Sequence, residues 1–165
     1  MASERFTVRQ ARPEDAGPLI GMMRALAAFE GYLPRFRVTA ADLRVRAFGP
    51  GAQCGILVAH GPDGHLAGYA VWLVQAFTYD LRPTVILKEL FVEPTHRHCG
   101  IAADLLAHLQ RDAERIGAGQ ITWLVLPSNE AAKRLYRRCG GAPDTDWEHW
   151  RLALPAPADG AVPFC

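Results

Sequence analysis

The spacing of apolar positions changes several times along the chain, and each change marks an element. "FTVRQA" (6–11) alternates polar and apolar residues and predicts a first strand, β1. "RPEDAGPLIGMMRALAAFEG" (12–31) predicts a helix, α1, because Leu19, Met22, Met23, Leu26 and Phe29 recur at helical spacing. Pro13, Glu14 and Asp15 suit its first turn. In "TAADL" (39–43), Thr39 and Asp42 form a capping-box start for a shorter helix, α2, with Asp where Glu is usual. "QCGILVAHG" (53–61) and "LAGYAVWLVQAF" (66–77) predict strands β2 and β3, joined through Asp63-Gly64, a hairpin signal.

"TVILKELFVEP" (84–94) predicts strand β4. The helix after it, α3, gathers Ile101, Leu105, Leu109, Ala113 and Ile116 on one face, and Asp104, His108, Arg111 and Arg115 on a wet one. "QITWLVLP" (120–127), "NEAAKRLYRRCGG" (129–141) and "EHWRLAL" (148–154) predict β5, α4 and β6. The order is therefore β1-α1-α2-β2-β3-β4-α3-β5-α4-β6, an α/β arrangement in one domain over 1–154. The tail "PAPADGAVPFC" (155–165) is Pro/Ala-rich and expected to be mobile or draped on the surface.

Composition narrows the class. The chain has 165 residues, half of them hydrophobic, with eighteen basic side chains against seventeen acidic ones. That length buries a real core, and the charge balance implies no nucleic-acid or membrane-surface partner. No apolar run approaches the ~20 residues of a membrane span, and "MASERFTVRQ" lacks a signal-peptide core, so the cytoplasm is the default. Cys54, Cys99, Cys139 and Cys165 include no C-x-x-C pair, which argues against a zinc knuckle or a disulfide framework. His96 and His98 have no evident third ligand, so no metal is expected.

The candidate chemistry lies in "EPTHRHCGIAADLLAHL" (93–109), where Gly100 and the small residues Ala102 and Ala103 stand at the mouth of a helix. Glycine weakens a helix, so it needs a reason there: a phosphate approaching the backbone, or a bare strand-to-helix turn. Neither G-x-G-x-x-G after the first strand nor G-x-x-x-x-G-K-[ST] is present. Cys99, at the same helix start, has two readings, a buried or inert thiol and a reactive one.

At these residues the sequence resembles the GNAT (GCN5-related N-acetyltransferase) superfamily. "RHCGIA" (97–102) satisfies its signature Arg/Gln-x-x-Gly-x-Gly/Ala. With "LKELFV", "NEAAKRLYRRCGG", "RALAAFEGY", "FTYD" and "EHWRL", it is similar to the spermidine/spermine (diamine) N-acetyltransferase branch from about residue 6 to 154. The resemblance implies a GNAT fold, a mixed, mostly antiparallel twisted sheet flanked by helices, with acetyl-CoA as cosubstrate. It places the pyrophosphate on the backbone of Arg97, His98, Cys99, Gly100, Ile101 and Ala102, beside Ala103. Six successive N–H groups, Arg97 through Ala102, and the helix dipole suit that role. It places the pantetheine arm along β4 at Leu90, Phe91 and Val92, and adds Asn129 and Tyr136. His98 departs from the family pattern, which mostly carries Gly after the Arg.

The implied reaction is direct attack of a primary amine on the thioester, with Tyr136 as general acid for the departing thiolate. Glu89, Glu30 or a water chain would remove the amine proton, and Glu89 is the catalytic candidate. Phe29, Glu30, Asp80, Lys88 and Glu148 are the implied acceptor residues. In "LKELFV" the family's first acid is replaced by Lys88. In a regular strand Lys88 shares a face with Leu90 and Val92, while Glu89 points the other way. A bulge would change that parity. If parity holds, Lys88 would repel a polyamine and favour an acceptor bearing a carboxylate. The expectation is thus acetylation of a small amine, diamine or lysine-like. Its alternatives are an amino acid, antibiotic or protein N-terminus as acceptor, or a non-catalytic acyl-CoA-binding regulatory module. The resemblance also implies a homodimer, to which "WEHWRLAL" would contribute.

Overall fold

The computed structural model describes residues 6–155. Its sheet has the order β1-β2-β3-β4-β5, with β1 Thr7–Gln10, β2 Gly55–His60, β3 Leu66–Gln75, β4 Thr84–Val92 and β5 Gln120–Trp123. The first four strands pair antiparallel and β5 joins β4 in parallel. The helices are α1 Ala16–Phe29, α2 Ala40–Arg46, α3 Ile101–Arg115 and α4 Glu130–Arg138. A short 3-10 turn at Pro13–Asp15 leads into α1.

Both faces of the sheet are covered. On one, Leu19, Met22, Met23 and Leu26 of α1 and Leu43 of α2 pack on Ile56, Val58, Tyr69, Val71 and Phe91. On the other, Ile101, Leu105, Leu109 and Ala113 of α3 pack on Leu57, Ala70, Val85 and Leu87. Each fully buried Leu, Ile or Phe stabilises by about 1.5–3 kcal/mol, so these two layers carry the fold. The capping box at α2 forms: the Asp42 N–H donates to Thr39 Oγ1 at 3.1 Å, and the Thr39 N–H donates to the Asp42 carboxylate at 2.9 Å. Asp15, at the head of α1, accepts both Arg9 guanidinium nitrogens and the Arg12 N–H at 2.7–3.0 Å, anchoring α1 to β1.

Four expectations need correction. Phe29, the last residue of the α1 stripe, is 58% exposed because the helix ends there. Ile116 lies past the end of α3 and is exposed, because the helix closes at Gly117, whose φ is 73°. β5 stops at Trp123 instead of reaching 127, since its partner β4 diverges there; Leu124 and Leu126 are exposed. β6 is absent among the described residues. The segment 148–154 makes no ladder, and Trp150, Leu152 and Leu154 are 83%, 85% and 80% exposed. Its alternating pattern is strand-like, but it has no partner edge within the described chain. Of the tail at 155–165, residues 156–165 lie outside the described residues.

Candidate active site

The site grows from an irregularity in β4. Val71 of β3 stands opposite Glu89, and Trp72 opposite Leu87, so Lys88 is an extra residue, a β-bulge. The bulge reverses facial parity. Val85 and Leu87 precede it on the α3 side, and Leu90 and Val92 follow on that same side. Glu89, paired with Val71, turns to the α1 side with Phe91 and Tyr69. Glu89 thus points away from Leu90 and Val92, as in a regular strand, and the alternation breaks only against Val85 and Leu87; Lys88, the extra residue, is exposed.

The bulge also divides the strand's outer edge. Thr84–Leu87 pairs with β5, whereas residues 88–92 have β3 on one side only. A cavity of about 650 Å³ opens along this free edge. Its walls are the end of α1 (Leu26, Phe29, Glu30), Leu87–Val92, the turn before α3, Trp123–Leu126, and α4 with Asn129, Arg134, Leu135, Tyr136 and Arg138.

The turn at 94–100 supplies hydrogen-bond donors. His98 and Gly100 both take left-handed backbone, with φ of 65° and 84°. For His98 this is strained, and glycine is the residue suited to it. A Cβ at Gly100 would meet no protein atom within 4 Å, so that glycine answers to its φ, not to crowding. The expected donor set shifts by one. Arg97 N–H is engaged by Pro94 C=O at 3.4 Å, and Asp104 N–H is the first to bond back, to Gly100 C=O at 3.0 Å. The N–H groups from His98 to Ala103 have no recorded acceptor among the described residues. They open at the N-terminus of a fifteen-residue helix, where its dipole favours an anion. Arg97 Nε donates to Val92 C=O at 3.2 Å and ties the turn to the end of β4.

Carboxylates and phenols gather at the α1 end of the cavity. Tyr69, fully buried, donates its hydroxyl to Glu89 Oε2 at 2.8 Å. Burial raises the Glu89 carboxyl above its ordinary pKa, although the Tyr69 bond and the Lys88 charge pull the other way. Glu30, beside Lys88, is likewise raised by burial. Burial and then the charges of Glu89 and Glu30 push the Tyr32 phenol up to about 12. Across the cavity, the Tyr136 ring packs on Trp123 with centroids 5.0 Å apart. Burial and then Glu30 raise its pKa, so the phenol stays protonated at neutral pH.

The fold thus brings Phe29, Glu30, Lys88, Glu89, Leu90, Phe91, Val92, Arg97, His98, Gly100, Ile101, Ala102, Ala103, Asn129 and Tyr136 to one cavity. Asn129 also caps α4, its Oδ1 accepting the Ala132 N–H at 3.1 Å. Cys99 is exposed and outside the lining. Asp80 closes its own turn, accepting from Thr78 Oγ1 and the Arg82 N–H at 3.0 and 3.1 Å. Glu148 accepts from Trp150 Nε1 at 2.8 Å on the exposed C-terminal segment. The described chain does not bring these last two to the cavity. Tyr32, Tyr69 and Trp123 carry no motif that marks them in the sequence. Only strand register reveals that Tyr69 faces Glu89, but Arg134 and Arg138 were readable as an i, i+4 pair.

Comparison with known proteins identifies the family. The model of the acetyltransferase (GNAT) family matches residues 20–141. Thialysine N-epsilon-acetyltransferase of Mus musculus is 29% identical over 157 residues, 91% of this chain and 91% of that protein. Spermidine/spermine N(1)-acetyltransferase-like protein 1 of Homo sapiens is 28% identical over 155 residues, 89% of this chain and 22% of that longer protein. Among solved structures, a probable acetyltransferase superposes with a TM-score of 0.77 at 19% identity, covering 90% of this chain and 98% of that one. That likeness shows the fold. With the family model spanning most of the chain, this protein belongs to the acetyltransferase (GNAT) family and is an N-acetyltransferase acting on amines.

Proposed function

We propose that the protein transfers an acetyl group from acetyl-CoA to the primary amine of a small, lysine-like acceptor, with Tyr136 as general acid. The observation that carries the acceptor class is the pairing of charges at one end of the cavity. Glu30 and Glu89 offer carboxylates to an ammonium group, and Lys88 at the bulge offers a cation to a carboxylate. A diamine would satisfy the two acids but meet Lys88 as a like charge. An acceptor with both an amine and a carboxylate satisfies all three.

The residues present suit acetyl-CoA. The donors from His98 to Ala103 and the α3 dipole favour a pyrophosphate, and the free edge at 88–92 suits an amide-bearing arm laid beside it as an added strand. Acetyl-CoA, when bound, supplies an activated thioester and a sulfur that must leave with a proton.

Glu89, held by Tyr69, accepts a proton from the incoming ammonium, directly or through water. An alkylammonium of pKa ~10.4 is neutral in only about one molecule in a few thousand at pH 7, so removing that proton is a real part of the barrier. A carboxyl raised by burial is a better base than an exposed one. Tyr136 donates its hydroxyl proton to the departing sulfur, and its raised pKa keeps that proton available at neutral pH.

A homodimer is part of this proposal. The C-terminal segment, with Trp147 at 81% exposure beside Trp150, Leu152 and Leu154, forms an apolar surface that a second copy would cover. The test of function is thiol release from acetyl-CoA with lysine, thialysine, putrescine and spermidine. The proposal expects turnover with the first two to exceed that with the polyamines. Preference for spermidine would refute the role given to Lys88. CoA binding without turnover on any amine would favour a non-catalytic regulatory module.

A further inference from the structure

A second cluster lies at the outer rim of the cavity. The sequence sets His96 beside His98, but the fold sets it against His65, from the β2–β3 hairpin. Their Nε2 atoms are 3.3 Å apart and their ring centroids 5.0 Å apart. Asp63 Oδ1 lies in hydrogen-bonding contact with His65 Nδ1. Thr95 Oγ1 is 3.1 Å from His96 Nδ1. Phe6 closes one side, its ring edge-on to both imidazoles at 6.2 and 5.3 Å. His65 keeps 38% of its side chain exposed, so solvent reaches the pair.

The contact with Asp63 fixes the tautomer of His65. An ionised Asp63 only accepts, so His65 carries its proton on Nδ1 and presents a lone pair at Nε2. The contact between the rings then requires His96 to donate from Nε2, with Thr95 donating to its Nδ1. If His96 instead carries its proton on Nδ1, donating to Thr95 Oγ1, both Nε2 lone pairs are free and 3.3 Å apart. Two imidazole nitrogens, each about 2.0–2.1 Å from a tetrahedral zinc, stand roughly 3.3–3.4 Å apart. The carboxylate behind His65 is the partner that orients a metal-bound imidazole and raises its basicity.

We propose that His65 and His96 form a two-histidine site for a divalent transition metal, zinc in the first instance, with Asp63 orienting His65. The protein supplies two ligands and water the others, in keeping with the absence of any group of three or more metal-ligating residues among the described residues. Imidazole donors select zinc, copper or nickel over magnesium or calcium. Binding moves one proton within His96, from Nε2 to Nδ1, and releases none. The metal would fasten the hairpin turn to residues 94–96, immediately before the donor turn of the cavity.

The test is calorimetric titration of the full chain with zinc chloride, comparing wild type with His65→Gln, His96→Gln, His98→Gln and Asp63→Asn. Wild type and His98→Gln should take up one equivalent more than His65→Gln or His96→Gln. Asp63→Asn should bind that equivalent about 10–100-fold more weakly. In wild type, imidazole nitrogen NMR should show zinc-dependent shifts at His65 and His96, a readout independent of how the variants fold. Equal zinc uptake by wild type and both glutamine variants would overturn the proposal. So would loss of the equivalent through His98→Gln with His65→Gln unaffected, or unchanged His65 and His96 nitrogen signals.

Discussion

The two halves of β4 share one strand and differ in almost everything else. Thr84–Leu87 is paired on both edges, and Val85 and Leu87 are buried beneath α3. Residues 89–92, past the bulge at Lys88, are paired on one edge, and they line the cavity. The first half holds the sheet together. The second leaves main-chain groups free and swings a carboxylate to the opposite face. One inserted residue makes both changes, because a bulge interrupts a ladder and reverses alternation together.

The largest effect should come from across the free half, at Tyr136. Tyr136→Phe keeps the ring packing on Trp123 and removes the proposed proton donor, so turnover should fall about 10²–10⁴-fold with thermal stability unchanged. Thiol release together with a melting curve checks this. Retained turnover would remove Tyr136 from the chemistry and leave the cavity as a binding feature.

The paired half should respond in stability instead. Leu87→Ala is expected to cost about 2–5 kcal/mol by denaturant unfolding, as for other buried leucines. Leu90→Ala, half-buried on the same face but beside the unpaired edge, should cost clearly less and weaken CoA binding. Equal stability losses at the two sites would erase the contrast between the halves.

A smaller and more specific effect is expected at Tyr69. Tyr69→Phe removes a hydrogen bond to the ionised form of Glu89, so the Glu89 pKa should rise further. Because the proposed base works deprotonated, the acid limb of kcat/KM should move to higher pH, by about one unit for a bond of about 1.5 kcal/mol. A purely structural role would lower the rate without moving the limb. Smallest of all, His98→Gly relieves a left-handed non-glycine residue. It should stabilise the chain by up to about 1 kcal/mol, net of the entropy glycine adds to the unfolded state. A loss of stability would mean that His98 makes contacts outweighing its strain.

Periodicity carried most of the fold. The apolar stripe of α1, the α2 capping box, the Asp63-Gly64 hairpin and the α3 face all depend on neighbours within a few residues, and they appear as expected apart from Phe29 and Ile116, each exposed where its helix ends. The failures are long-range. β6 has a strand's alternation, but a strand needs an edge, and no described edge receives it. β5 is cut short where β4 leaves it. Of the site, the position of the glycine turn was legible in the residues, but they left a bare turn open, and its use by a phosphate was implied by the family resemblance. Glu89 faces away from Leu90 and Val92, as strand alternation implied; the bulge at Lys88, which reverses parity against Val85 and Leu87, was not legible, since it depends on register between β3 and β4. The Tyr69 bond and the His65–His96 pair were hidden for the same reason: each joins residues that only the folded hairpins bring together.

In the proposed function, the free edge of β4 and the donors before α3 together hold acetyl-CoA. Amide hydrogen exchange with and without saturating CoA reads those N–H groups themselves. Protection should rise at residues 89–92 and 98–103 and stay unchanged at 84–87. Protection that is absent from both segments, or spread evenly over β4, would contradict the account.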